Sequence, residues 1–65
     1  MSMDAWESEA GTILRDRGLV YGSEKRRLDC IAWITDAKHE AKAIGYGTTE
    51  AEARWDAYRL WEAAL

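Results

Sequence analysis

Trp6, Ala10, Ile13, Leu14 and Arg17 follow one another at spacings of four, three, one and three residues, a single stripe on a 3.6-residue period. The stripe predicts a helix over residues 4–17, with Asp4 and Glu7 as an N-terminal capping pair. Arg15 and Arg17 suit the negative end of its dipole. Gly18 is placed to end it in a left-handed turn, with Leu19 closing over the last turn. Leu19-Val20-Tyr21 then reads as a short strand broken by Gly22-Ser23. The stretch RRLDCIAWIT would scatter its apolar residues around a helix. As a strand it puts Leu28, Cys30, Ala32 and Ile34 on one face and Ile31 and Trp33 on the other. DAKHE is a turn. AKAIGYG reads as a third strand, weakened by Gly45.

Thr48 or Thr49 is expected to cap a last helix running to about Ala64, with Glu52 completing a capping box from Thr49. Its inward stripe is Ala53, Ala57, Leu60, Trp61 and Ala64. Its outward stripe is Glu52, Asp56, Arg59 and Glu62, with Trp55 near that side. The order is α-β-β-β-α, so the expected fold is α+β, with residues 1–65 forming a single small domain. Sequential strands pair locally, giving a three-stranded antiparallel sheet with both helices packed on one face. The core is expected to hold Ile13, Leu28, Ile34, Ala57 and Leu60. Ile31 and Trp33 are left on the opposite face of the sheet.

Composition narrows the functional classes. A chain of 65 residues buries only about 60% of the surface of its unfolded form, so stability of a few kcal/mol is expected. Cys30 is alone, which excludes a disulfide framework and suits a reducing compartment. No apolar run approaches a membrane span, and no secretory signal pattern is visible, so a cytoplasmic location without membrane contact is expected. Twelve acidic against nine basic residues give a net charge of −3. That balance disfavours a grip on phosphate backbones and suits a basic protein partner. Four Trp and three Tyr with no Phe give every large aromatic a polar handle, which suits half-exposed positions.

No catalytic constellation emerges. Cys30 within LDCIAWI reads as a small buried hydrophobe, and His39, the one histidine, falls in the DAKHE turn. Together they cannot build a four-ligand zinc site or a nucleophilic triad. GYG lacks the residues that make a phosphate-cradling loop. Glu50 and Glu52 stand in the first turn of the last helix, where each acid favours the helix by about 0.3–1 kcal/mol through the dipole. A non-enzymatic protein with no metal and no cofactor is therefore expected.

The element order, the Gly45-Tyr46-Gly47-Thr48-Thr49 stretch and the alanines Ala53 and Ala57 resemble the double-stranded RNA-binding domain over almost the whole chain. In that family the last helix opens Lys-Lys-x-Ala-Lys. Here it opens Glu50-Ala51-Glu52-Ala53-Arg54, so the lysines that meet phosphate are missing. The family's histidine-containing loop before the second strand is missing as well. The resemblance therefore implies the shape without direct nucleic-acid binding. In size, charge and compactness the chain is similar to small acidic phage proteins, anti-CRISPR proteins among them. That similarity implies an inhibitor, monomeric or a weak homodimer, that binds a basic nucleic-acid-binding surface such as that of a CRISPR effector subunit. Glu50, Glu52, Asp56 and Glu62 would present charge, and Trp55 an aromatic anchor. The alternative is an antitoxin-like or regulatory module that docks through Ile31 and Trp33 or through a sheet edge. An RNA-binding domain ranks third.

Overall fold

The computed structural model describes residues 3–65, with side chains described from Trp6 onward. Five elements follow in the order α1 (Met3–Asp16), β1 (Val20–Lys25), β2 (Cys30–Thr35), β3 (Ala41–Gly47) and α2 (Glu50–Ala63). The strands form one antiparallel sheet in the order β1-β2-β3. Both helices pack on one of its faces, α2 across β2 and β3 and α1 alongside β1 and α2. The α-β-β-β-α order expected from the hydrophobic pattern is therefore observed. Asp4 lies inside α1 rather than ahead of it, and its side chain is outside the described residues.

Gly18 ends α1 as its spacing predicts. It adopts φ 71°, and two backbone bonds close the turn: Gly18 N–H to Arg15 C=O at 3.0 Å, and Leu19 N–H to Leu14 C=O at 2.8 Å. Leu19 is thereby folded back into the core. At the other end of the chain Thr49 has extended backbone and accepts the Glu52 N–H at 3.1 Å. The reciprocal half of the expected capping box is shifted by one residue. The Glu52 carboxylate takes the N–H and the hydroxyl of Thr48, not the N–H of Thr49. Those bonds hold the Glu52 carboxyl below its ordinary range, the Thr48 hydroxyl first and its N–H second.

Several expectations from the sequence are corrected. Leu28 sits at the tip of the β1–β2 turn and is 90% exposed. The turn is closed by the Arg26 N–H to Asp29 C=O bond and a two-point Arg26–Asp29 ion pair, so the strand starts only at Cys30. Leu60 is 49% exposed and Ala64 lies beyond the end of α2, while Tyr58 takes the buried place expected of them. Ile13 is 38% exposed because α1 leans on its Trp6-Ala10-Leu14 line, which puts Ile13 at the margin. Finally, β1 runs through Gly22-Ser23 instead of breaking there.

The core is built from Trp6, Ala10, Leu14, Leu19, Cys30, Ala32, Ile34, Ala53, Ala57, Tyr58 and Trp61, with Tyr21 and Ala43 packed against it. Burying side chains such as Leu14 and Ile34 contributes about 1.5–3 kcal/mol each. Gly45 is not a weak point of β3. It pairs with Ala32, and α2 lies so close that a methyl group at Gly45 would overlap the backbone of Ala53 and Ala57. The small residues Ala32, Gly45, Ala53 and Ala57 thus let a helix backbone settle directly on the sheet. One ion pair ties the two helices together. Arg54 meets the Glu7 carboxylate through Nη2 at 2.6 Å and Nε at 2.8 Å, and Arg54 Nη1 also reaches Ser23 on β1.

Candidate partner-binding surfaces

Two surfaces stand out, one on the helical layer and one on the open face of the sheet. On the helical layer, α1 presents Trp6, Glu9 and Ile13 at i, i+3 and i+7. Facing them, α2 presents Trp55, Tyr58 and Glu62 at the same spacing. With Ala10 these residues line a cleft of about 290 Å³ between the helices. Trp6 and Trp55 meet edge to face with ring centroids 4.9 Å apart. Tyr58 lies 6.4 Å from each of them, nearly parallel to Trp55, and continues to Trp61 at 5.7 Å. Arg17 lies over the Trp61 ring at 5.5 Å. Burial pushes the Tyr58 phenol above its ordinary range, and the neighbouring Glu62 carboxylate adds to that.

The acidic residues expected to form one stripe do not share one surface. Trp55, 40% exposed, and Glu62 line the cleft. Glu50 instead accepts a hydrogen bond from the Ser23 hydroxyl at 3.1 Å, on the β1 side. Glu52 is engaged with Thr48 and Thr49 at its own helix start. Asp56 reaches the edge of β3, where it accepts the Tyr46 N–H at 3.0 Å, and it also pairs with Arg59 at 3.1 Å. Three of the four carboxylates thus also serve the fold. The reading of α2 alone missed Trp6, Glu9 and Tyr58. The shared i, i+3, i+7 spacing on both helices is the signal that finds them.

On the other face of the sheet, strand alternation places Val20, Ile31, Trp33, Ile44 and Tyr46 together, and none of the described elements covers them. Val20, Ile44 and Tyr46 are exposed, while Ile31 and Trp33 are half-buried among their neighbours. The Trp33 indole lies across Gly22, the residue paired with it on β1. Arg26 lies over the Tyr46 ring at 5.3 Å and forms one margin of the patch.

Cys30 and His39 lie at opposite ends of the sheet. Cys30 opens β2, buried, with its thiol directed at the Thr48 carbonyl at 3.8 Å. His39 is exposed beyond the other end of β2, with φ 62°, in a turn organised by Asp36. The Asp36 carboxylate accepts the N–H groups of Lys38 at 2.9 Å and Glu40 at 3.0 Å, and these hold it below its ordinary range, the Glu40 bond foremost. Among the described residues no group of three or more His, Cys, Asp or Glu is arranged to hold a metal ion. No helix among them is long and apolar enough to cross a membrane. Compared with protein-family models, curated proteins and solved structures, the chain matches none.

Proposed function

We propose that the chain is a small non-enzymatic inhibitor that docks its helical layer on a basic, nucleic-acid-binding surface of a protein partner and blocks it by occupancy. An effector subunit of the CRISPR type is the kind of partner that its size and charge suit. The observation that carries this reading is the pairing of aromatic and acidic groups in one place. Glu9, Glu62 and the half-exposed Trp55 line the same cleft. The acids would speed encounter with a basic surface and make it salt-sensitive, being screened over roughly 8 Å at physiological ionic strength. An aromatic desolvated at the centre would hold the complex.

The test has two arms. Duplex RNA and DNA titrated by fluorescence anisotropy at physiological salt should show no sub-micromolar binding, since the opening of α2 carries Glu50 and Glu52 where a phosphate-binding helix carries lysines. A partner captured from nuclease-treated lysate, then purified and reloaded with its nucleic acid, should lose that nucleic acid on addition of the protein. Affinity for the partner should fall with salt. Tight duplex binding, or a captured partner that keeps its nucleic acid, refutes the proposal.

The open sheet face supports a second reading, that of a regulatory module docking through Ile31 and Trp33. What favours it is a contiguous apolar patch that includes a Trp. Trp33→Ala in a folded variant separates the two. It should leave helical-layer docking unchanged and abolish docking through the sheet.

A further inference from the structure

Resting on the reading that the partner is basic, we infer that the cleft between α1 and α2 receives one arginine side chain of that partner protein, its guanidinium against the half-exposed Trp55 ring and paired with Glu9 and Glu62. The walls and the rim each select for that group. Aromatic faces attract a cation through the ring quadrupole, and a planar guanidinium stacks on them better than an ammonium does. Carboxylates at the mouth accept the fork of N–H donors. Glu9 and Glu62 are both exposed, and among the described residues neither is in an ion pair.

The protein's own arginines leave the cleft open. Arg54 is held by Glu7, Arg59 by Asp56, and Arg17 lies on Trp61. Two of its own side chains already use the same chemistry, Arg17 over Trp61 and Arg26 over Tyr46. An anionic ligand is disfavoured by the two carboxylates. A purely apolar one would leave them unpaired.

The experiment uses a short Gly-Arg repeat peptide and its citrulline counterpart, which keeps the shape of arginine without the charge. Binding is followed by the indole N–H resonances of the four tryptophans. The arginine peptide should shift Trp55 and Trp6 and leave Trp33 in place. The citrulline peptide should bind about tenfold more weakly, the scale of a partly desolvated cation on aromatic rings. Glu9→Gln combined with Glu62→Gln should weaken the arginine peptide, whereas Glu50→Gln combined with Glu52→Gln should have a smaller effect. Ile13→Lys, which brings an ammonium of the protein's own to the cleft margin, should compete with the peptide while the circular-dichroism spectrum stays native. Equal binding of the citrulline peptide overturns the assignment. So does arginine binding that leaves Trp55 and Trp6 unmoved and responds equally to both acid pairs, although the basic-partner reading then survives. An arginine peptide that binds no part of the protein ends both.

Discussion

The two faces of one sheet have opposite sizes of residue. The face under the helices holds Cys30, Ala32, Ala43, Gly45 and Gly47, with Ile34 and Tyr21 as its large members. The open face holds Val20, Ile31, Trp33, Ile44 and Tyr46. Both are apolar, so hydrophobicity alone does not decide which one is covered. Close approach does. A helix backbone seated on a sheet needs hydrogen atoms and methyl groups beneath it, and larger side chains are left to the side with room. The covered face is consequently intolerant of added volume, while the open face is tolerant of change and available for contact.

The sharpest way to break this comparison is a pair of glycine substitutions. Gly45→Ala drives a methyl group into the backbone of Ala53 and Ala57, which cannot swing aside. It should cost about 3 kcal/mol, the upper part of the overpacking range, and leave much of the protein unfolded in a urea titration. Gly22→Ala meets the Trp33 indole first, a half-buried side chain on the open face, and should cost about 1 kcal/mol. Equal losses would mean that the two faces do not differ in the way described.

Truncation inside and outside the core comes next. Ile34→Ala should lower stability by about 2–4 kcal/mol, since the side chain is wholly buried. Leu60→Ala and Leu28→Ala should stay within about 0.5 kcal/mol of the parent in the same melts. A Leu60 variant that melts as early as the Ile34 variant would contradict its place on the surface. A smaller effect is expected at the strut between the helices. Arg54→Met removes the ion pair with Glu7 and the contact with Ser23, each flank about a quarter exposed. A loss of about 1 kcal/mol is expected, more than an exposed pair contributes and less than a dry one. Because α1 rests on α2 through this pair, hydrogen exchange should rise first in α1.

The smallest effect is in pH. Asp29, Asp36 and Glu52 all have folded-state carboxyl groups held below their ordinary range, by the Arg26 side chain, the Glu40 N–H and the Thr48 hydroxyl respectively. A depressed folded value means stability that is fully present above the unfolded carboxylate range and is lost as pH falls through the folded one. The melting temperature should therefore decline gently on acidification. Glu52→Gln should shallow that slope, and an unchanged slope would show that the Thr48 bonds are not formed.

The hydrophobic pattern made the element order legible, together with the glycine stop at Gly18 and the inward line Cys30, Ala32 and Ile34. Each follows from local spacing. What local spacing does not carry is which margin of an amphipathic stripe faces the core. Ile13 and Leu60 lie one step off the buried line and turn out exposed, because each helix seats a narrower line of residues than its apolar stripe offers. Leu28 was displaced by a side-chain contact, the Arg26–Asp29 pair that closes the hairpin early. The cleft was hidden for a different reason. Its residues sit on two helices far apart in the chain, and only the packing of α1 beside α2, where Arg54 also meets Glu7, brings Trp6 to Trp55.

Asp56 has a consequence for solubility. A sheet of three strands has two raw margins, and each can recruit a strand from a neighbouring molecule and so begin aggregation. On β3 the Tyr46 N–H is already taken by the Asp56 carboxylate, and the negative charge stands where an incoming strand would need to lie. A helix side chain thus acts as a gatekeeper for a strand in a different layer. The margin that adjoins the apolar sheet face thus carries one free donor fewer and a negative charge against an incoming strand.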